Sequence, residues 1–323
     1  MTSDNVRAGA VSRVEDVLAG RVVSAARLMR DLDDLVPGAV DELKHLYPHT
    51  GGAFVLGVTG NPGSGKSTIV DCLIRRYRDA GLRVGVVAID PSSPFTGGAI
   101  LGDRIRMQRH ATDEGVFIRS MATRGHLGGL SRSTQDVISV MDAMGHDLII
   151  VETVGVGQDE VDVVSTAHTS VVVVVPGLGD EIQAIKAGIL EIADILVVNK
   201  ADRAGADRTV ADLSMMLDLR SEGAPAVRIL KAVAINEEGI ADLVEAVDLH
   251  RQDLDHEAEG RRRALDRAES RLKDLLRTLA LESALTRLEA GEGLAALVER
   301  IAERKIDPYS AAEQLLAELM GDS

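Results

Sequence analysis

Aromatic residues and cysteine are scarce in this sequence. Aromatic side chains make up 2% of the 323 residues and tryptophan is absent, so a folded core has to be built from aliphatic side chains, which is typical of parallel sheets covered by helices. The one cysteine, Cys72, excludes an internal disulfide and a CxxC metal site. It lies in a helical pattern, where we expect it to pack in the core. A chain without disulfides is typical of a reducing compartment.

Long apolar runs are missing, and basic residues are in the minority. The formal charge is −15, and because an acidic surface repels phosphate backbones, no nucleic acid is expected as a partner. Nowhere do about 18 apolar residues follow one another, which argues against a transmembrane helix. Residues 1–16 lack the apolar core of a signal peptide. We therefore expect a cytoplasmic protein that does not bind a membrane.

The sequence patterns divide the chain into three parts. Residues 1–50 are predicted to form an N-terminal helical segment, and residues 251–323 a C-terminal helical arm. Between them, in residues 51–250, short apolar strands alternate with helical patterns. This alternation predicts an α/β fold with right-handed crossovers and a mainly parallel central sheet. The candidate strands are Ala53–Thr59, Val84–Asp90, Val116–Ser120, Asp147–Glu152, Ser170–Val175, Ile195–Asn199 and Val227–Ala232.

The C-terminal arm carries an apolar stripe among many charged residues. Its last helix is predicted to start at Pro308, with Asp307 as the N-cap. A stripe of this kind either packs against the rest of the same chain or joins two copies of it, and the pattern leaves both open. The stripe consists of Leu265, Leu272, Leu276 and Leu279.

A phosphate-binding loop follows the first predicted strand. The pattern GxxxxGK[ST] has a strand before it and a helix after it, which is the context that phosphate binding requires. Its glycines let backbone N–H groups turn toward the phosphates. Lys66 is expected to neutralise the β and γ phosphates, and Ser67 to bind Mg²⁺ through its hydroxyl. The predicted phosphate site consists of Gly60, Asn61, Pro62, Gly63, Ser64, Gly65, Lys66, Ser67 and Thr68.

A base-reading loop follows the strand Ile195–Asn199. The sequence Asn199-Lys200-Ala201-Asp202 lies where ligands bind in open α/β sheets, at the carboxyl end of a strand. Asp202 can accept hydrogen bonds from guanine N1–H and the exocyclic amine, whereas adenine would leave it unpaired. Asn199 is expected to tie the loop together and reach N7, and the stem of Lys200 to cover the base. The predicted nucleotide is therefore GTP or GDP.

Acidic residues at two further strand ends predict the metal site. Asp90 and Glu152 end their strands, and the carboxyl ends of parallel strands meet at one edge of a sheet. With Asp103 they are candidates for binding Mg²⁺ or for positioning water, although Asp103 also fits a helix cap or a solvent-facing acid. The segment from Glu152 to Gly155 is similar to the DxxG switch of GTPases. In such a switch, Gly155 can donate its N–H to the γ-phosphate.

Hydrolysis is predicted to be slow. Val156 stands where many GTPases have a glutamine that orients the attacking water, and valine cannot do this. A partner or another side chain, with Gln158 as the candidate, has to complete the catalytic set of Lys66, Asp103 and Glu152.

Together these motifs resemble one family, the methylmalonyl-CoA mutase-associated GTPases of the MeaB/ArgK type. The resemblance rests on residues 90–93, 152–158, 199–202 and 307–309 and covers nearly the whole chain. It implies a metallochaperone-like P-loop GTPase that forms a homodimer through the C-terminal helical arm. It also implies a partner, an adenosylcobalamin-dependent acyl-CoA mutase, whose cofactor loading and protection depend on GTP.

The resemblance also implies a third switch that communicates with the mutase. From the residues alone, this stretch is typical of a solvated helix start. The candidate switch residues are Gly179, Asp180, Glu181, Gln183 and Lys186.

One departure from the family pattern concerns the loop behind the guanine, where a Ser-Ala pair is usual. Here residues 231–236 read KAVAIN, and a backbone N–H around Ala232 to Ala234 is the candidate for guanine O6.

Three alternatives compete with this interpretation. A metal-insertion GTPase would need soft or imidazole ligands, and the chain has one cysteine and eight scattered histidines. A small-molecule kinase would need an acceptor pocket and a base, for which Asp103 is available, although Asp202 favours GTP over ATP. A chain that is mainly an oligomerisation scaffold would depend on residues 255–319.

Overall fold

The computed structural model describes residues 13–91, 108–110, 112–123, 129–153, 167–177, 193–219, 226–256, 258–289 and 293–320. The chain forms two compact units, Met1–Arg263 and Ala264–Ser323. The three-part division at residues 50 and 250 stays a proposal about the organisation of the chain.

The first unit is built on a seven-stranded sheet in which every neighbouring pair of strands is parallel. The strand order is β3-β2-β4-β1-β5-β6-β7. All seven predicted strands are found, and the main difference is that β3 continues to Thr123 instead of ending at Ser120. The strands are β1 Phe54–Gly60, β2 Val84–Pro91, β3 Val116–Thr123, β4 Leu148–Thr153, β5 Thr169–Val174, β6 Ile195–Asn199 and β7 Arg228–Ala232.

Helices connect the strands and cover both faces of the sheet. The helices of the first unit include α1 Val22–Asp33, α2 Ala39–Leu46, α3 Lys66–Asp79, α4 Gly129–Ala143, α5 Ala206–Asp218 and α6 Ile240–His256. The long helix α7, Ala258–Glu289, begins in this unit and continues into the second. Short 3₁₀ turns occur at Tyr47–His49, Gln108–His110 and Ala234–Asn236.

The core is aliphatic, as the shortage of aromatic residues predicts. Apolar side chains of α3 and α6 pack on one face of the sheet, and those of α1, α2, α4 and α5 on the other. Val171 and Val172, adjacent in β5, belong to opposite layers, because successive side chains of a strand point to opposite faces. This explains the continuous valine runs. Cys72 is buried in the first layer, which confirms its predicted packing.

The topology brings the predicted motifs to one edge of the sheet. β1 lies in the middle, with β4 on one side and β5 on the other. Because all strands are parallel, the carboxyl ends of β1, β2, β4 and β6 share this edge. Ligands in open α/β sheets bind beyond these ends, at the point where the strand order reverses. Within the described ranges, no helix is both long enough and apolar enough to cross a membrane.

The second unit is helical. It contains the rest of α7 together with α8, Gly293–Ala302, and α9, Pro308–Met320. Asp307 caps α9, since its Oδ1 accepts from the backbone N–H groups of Tyr309 and Ser310 at 2.9 and 3.0 Å, which confirms the predicted helix start. The four leucines of the stripe on α7 are all exposed by more than half, between 53 and 61%.

Candidate nucleotide site

The phosphate loop joins β1 to α3, and two of its glycines are required by close contacts. Gly60 has φ 139°, and a Cβ at this position would lie 2.0 Å from the carbonyl oxygen of Val173 in β5. Gly65 has φ 94°, and its Cβ would lie 2.3 Å from Nδ2 of Asn199. Larger residues are therefore excluded at both positions. The loop passes close to the neighbouring strand and to the base-reading loop.

Lys66 is the first residue of α3 and is only 6% exposed. Its ammonium donates to the carbonyl oxygens of Gly60 and Asn61, at 2.5 and 3.0 Å. The charge is thereby held over the loop, at the positive end of the helix dipole. Backbone N–H groups, a helix N-terminus and an ammonium together make an anion site. Thr68 follows in the first turn of the helix.

The next residue of α3, Ser67, joins the helix to the end of β4. Its hydroxyl donates to Oε1 of Glu152 at 2.6 Å, and Glu152 is 3% exposed. The hydroxyl of Thr153 donates to that of Thr59 at 2.8 Å, which ties β4 to β1 at the same edge. A hydroxyl and a carboxylate are hard oxygen donors of the kind that Mg²⁺ prefers, so the two fit the predicted metal site. Asp90 is the last residue but one of β2, which lies beside β4 in the sheet, and its side chain lies outside the described residues.

Asn199 connects the phosphate loop with the loop after β7. The side chain is 3% exposed. Its Nδ2 donates to the carbonyl oxygen of Ser64 at 2.8 Å, and its Oδ1 accepts from the backbone N–H of Ala234 at 3.1 Å. Asn199 therefore holds these two loops together, and its contact with guanine N7 stays a prediction. The N–H of Ala234 serves the contact with Asn199 in the structure, and its use for guanine stays a prediction.

The rest of the base-reading loop lies across the same junction. Lys200 has φ 57°, and its Nζ donates to the carbonyl oxygen of Gly63 at 2.6 Å. The backbone N–H of Ala201 donates to the carbonyl oxygen of Ala232 at 3.0 Å. Asp202 is exposed, so its carboxylate is accessible to a ligand. The structure thus brings the phosphate loop, the base reader and the loop after β7 into one site.

Comparison with known protein families identifies the family of this chain. A family model described as methylmalonyl-CoA mutase-associated GTPase MeaB matches residues 30–293. The chain belongs to this family. A protein of Pyrococcus abyssi named as a GTPase is 47% identical over 312 residues, which cover 95% of this chain and 96% of the relative. The GTPase ArgK of Escherichia coli is 45% identical over 160 residues, covering 50% of this chain and 48% of ArgK.

A solved structure shows the same fold. The structure of a LAO/AO transport system kinase aligns with 97% of this chain and 98% of its own, with a TM-score of 0.69 and 23% identity. With the parallel sheet and the phosphate loop, this likeness confirms the predicted P-loop fold. Membership of the MeaB family confirms the predicted family and the activity class, and the chain is a GTPase.

Several predicted site residues of this MeaB-family chain lie outside the described residues. They belong to three segments, 92–107, 154–166 and 178–192. The roles predicted for them, in catalysis, γ-phosphate binding and signalling to a partner, stay predictions. They are Asp103, Gly155, Gln158, Gly179, Asp180, Glu181, Gln183 and Lys186.

The sequence patterns missed a group of contacts between α3 and the loop after β7. Arg75 lies beside Glu237 in the loop after β7, and Cys72 contacts the carbonyl oxygen of Ala234 in the same loop. The only signal was the departure from the Ser-Ala pattern in residues 231–236. No short motif joins residues that are 162 positions apart in the chain.

Proposed function

We propose that this chain is a Mg-GTP-dependent chaperone of an adenosylcobalamin-dependent acyl-CoA mutase, which gates cofactor loading and protects the mutase from inactivation. The nucleotide half of the proposal rests on one observation, the contacts of Asn199 with both Ser64 and Ala234. These contacts hold Asn199, the first residue of the predicted base-reading loop, next to the phosphate loop. The client half is supported by the description of the matching family.

The phosphate loop would bind the triphosphate. The ammonium of Lys66, held by two carbonyl groups in the structure, would turn to the β and γ phosphates, whose oxygens are stronger acceptors. Ser67 and Glu152 are the described residues that would hold Mg²⁺, together with Asp90 or Asp103. When bound, Mg²⁺ supplies positive charge beside the phosphate oxygens.

The base reader would select guanine. Asn199 fixes the loop, and the exposed carboxylate of Asp202 would accept from guanine N1–H and the 2-amino group. An adenine base would place a lone pair against this carboxylate, and sites of this kind discriminate strongly against such a base.

The substitution Asp202→Asn tests whether Asp202 reads the base. An amide at this position would favour xanthine, because the C2 carbonyl of xanthine can accept a hydrogen bond. GTP affinity unchanged by this substitution would contradict this role of Asp202.

Loss of the γ-phosphate would release the segment after β4. Glu152 and Thr153 are anchored at the end of the strand by Ser67 and Thr59, and Gly155 follows them in the sequence. An N–H contact from Gly155 to the γ-phosphate would hold the segment in the GTP state and free it after hydrolysis. Gln158 would help to position the attacking water, and the switch at residues 179–186 would pass the change to the mutase.

The homodimer of this proposal would form through α7. The stripe of leucines is exposed by more than half of each side chain, and the spacing between Leu272, Leu276 and Leu279 is that of facing positions in a coiled coil. Replacing Leu272 and Leu276 by lysine is expected to give a monomer in sedimentation experiments. A double variant that keeps its dimer would refute this interface. The exposed Val298 of α8, also changed to lysine, is the control.

The experiment for the whole proposal is co-purification with acyl-CoA mutases in the presence of GTP, GDP or a non-hydrolysable GTP analogue. We expect a complex whose stability depends on the nucleotide. Phosphate release from GTP without any acceptor should accompany it, which separates a GTPase from a small-molecule kinase. If no mutase binds in any nucleotide state, the client half of the proposal is wrong, while guanine binding is unaffected.

A further inference from the structure

The loop after β7, residues 233–238, is fastened to the helix that follows the phosphate loop. We name it the base-backing loop, since it carries Ala234, the partner of Asn199. The loop closes on itself through a hydrogen bond from the N–H of Val233 to the carbonyl oxygen of Glu238, at 3.0 Å. Two of its groups also contact side chains of α3, one near each end of the 3₁₀ turn.

The first contact is made by Cys72. Its buried thiol donates to the carbonyl oxygen of Ala234 at 3.5 Å, and its sulfur accepts from Nη2 of Arg75 at 3.3 Å. Burial raises the pKa of the Cys72 thiol, so it keeps the proton that it donates. Ala234 is thus held on one side by Asn199 and on the other by α3.

The second contact is an ion pair at the end of the turn. Nη1 of Arg75 donates to Oε1 of Glu237 at 2.5 Å, and Nη2 of Arg76 lies 3.4 Å from Oε2. Arg75 therefore contacts both Glu237 and the sulfur of Cys72. Oδ2 of Asp71, one turn earlier in α3, lies 3.4 Å from Nη2 of Arg75. An arginine held between two acids keeps its fork in one orientation.

The backbone at Glu237 shows that this contact has a cost. Glu237 has φ 61°, a left-handed conformation that glycine adopts freely and that costs another residue about 1 kcal/mol or more. A position that needs such a φ favours glycine unless its side chain makes a contact that offsets the cost. The carboxylate of Glu237 makes such a contact, because it forms ion pairs with two arginines of α3. Strain at a residue that fastens a ligand loop is a reason to look for a functional role.

We propose that Arg75 and Glu237 are positioning residues for guanine recognition. The inference rests on the proposed guanine site. By fastening the base-backing loop to α3, they would set the distance between Ala234 and Asn199. That distance would in turn determine where the backbone N–H groups that face guanine O6 lie. α3 begins with Lys66 and Ser67, so the same helix would hold the phosphates at one end and position the base-backing loop from its side.

The test compares nucleotide affinities of Arg75→Gln, Glu237→Gln and the double variant, with GDP and ADP as ligands in calorimetry and competition. Both side chains are 38% exposed, so the expected effect is modest, a loss of GDP affinity of about two- to fivefold. ADP affinity should not change, because adenine has no O6. The loss in the double variant should be smaller than the product of the two single losses, since both single variants already remove the contact between Arg75 and Glu237.

Two further variants separate positioning from folding. Arg78→Gln, on the same helix, removes an ion pair with Asp113 at 2.9 Å that does not involve the base-backing loop, and GDP affinity should be retained. Glu237→Gly removes the ion pair and also the strained backbone, so the melting temperature should stay within about 2 °C. GDP affinity should nevertheless fall as in Glu237→Gln.

Three results would overturn the inference. The first is GDP affinity that is unchanged in both single variants. The second is an equal loss for GDP and ADP, which would indicate a general effect on the fold. The third is a wild-type protein that does not prefer GDP to ADP, and in that case the proposed guanine site fails as well. A preference that is present in the wild type and unchanged in the variants overturns only the role of Arg75 and Glu237.

Discussion

Replacing Asn199 by alanine should weaken the fold and guanine binding together. The side chain is 3% exposed and makes two hydrogen bonds, to Ser64 and to Ala234. Alanine removes both and leaves a carbonyl oxygen and an N–H group without these partners. Ser64 and Ala234 are themselves buried, so water cannot easily replace the amide.

The size of the effect follows from these two contacts. A net hydrogen bond contributes about 1 kcal/mol, and a buried group left unsatisfied costs about 1–3 kcal/mol. Two such groups, with partial relaxation, give a loss of about 3 kcal/mol in the free energy of unfolding of the first unit. For a unit of this size, that corresponds to a melting temperature lower by roughly 10 °C. GDP should stabilise the variant less than the wild type, because weaker binding shifts the unfolding equilibrium less.

The assay is thermal unfolding followed by circular dichroism, with and without GDP. Asp202→Ala is the matched control, since Asp202 is exposed in the same loop and its removal should lower GDP affinity without lowering the melting temperature of the free protein. A melting temperature for Asn199→Ala within about 1 °C of the wild type would refute the reasoning. It would mean that the junction between the two loops does not contribute to the fold.

Three further predictions concern the same sheet. Gly60→Ala should cost about 3 kcal/mol of stability, because its Cβ would lie 2.0 Å from a carbonyl oxygen, whereas Gly63→Ala, with no atom within 4 Å, should cost about 1 kcal/mol in urea unfolding. Glu152→Gln should lower Mg²⁺ affinity about tenfold, measured as the Mg²⁺ dependence of GDP release, and an unchanged dependence would remove Glu152 from the metal site. Burial lowers the pKa of His146, so the unfolded chain takes up this proton first and stability should fall as the pH falls below about 6.5. His146→Asn should make the melting temperature less dependent on pH between 7.5 and about 5.5, and an unchanged slope would contradict this.

The strands and the phosphate loop could be predicted because their signals are local. The strands of the sheet are short aliphatic runs, and β6, Ile195–Asn199, was predicted at both ends. The glycines and Lys66 stand at fixed spacing after β1. The start of α9 is of the same kind, since the capping residue Asp307 and Pro308, the first residue of the helix, are adjacent. In each case the residues that determine the structure are neighbours in the chain.

The junctions between loops could not be predicted, because they depend on the strand order. Asn199 meets Ser64, 135 residues earlier, only because β6 lies two strands away from β1 in the sheet. The contact of Arg75 with Glu237 depends in addition on a left-handed residue, and no pattern in residues 233–238 indicates that a glutamate adopts it. A motif therefore identifies which loops bind the nucleotide, while the strand order determines which loops hold each other.

The contacts that Lys66, Ser67 and Glu152 make within the chain bear on which ligands the site should bind tightly. A cation as buried as Lys66 would be costly without partners, and in the structure two loop carbonyl groups supply them. Oε1 of Glu152 likewise accepts from the hydroxyl of Ser67. Phosphate oxygens and Mg²⁺ would replace these internal contacts by stronger, charge-assisted ones. The gain on binding is thus the difference between the ligand contacts and the internal contacts that they replace, and it is largest for a ligand that engages Lys66 and Ser67 together. A triphosphate with its metal does this, whereas a nucleoside alone does not, so the site should bind Mg-GTP far more tightly than guanosine.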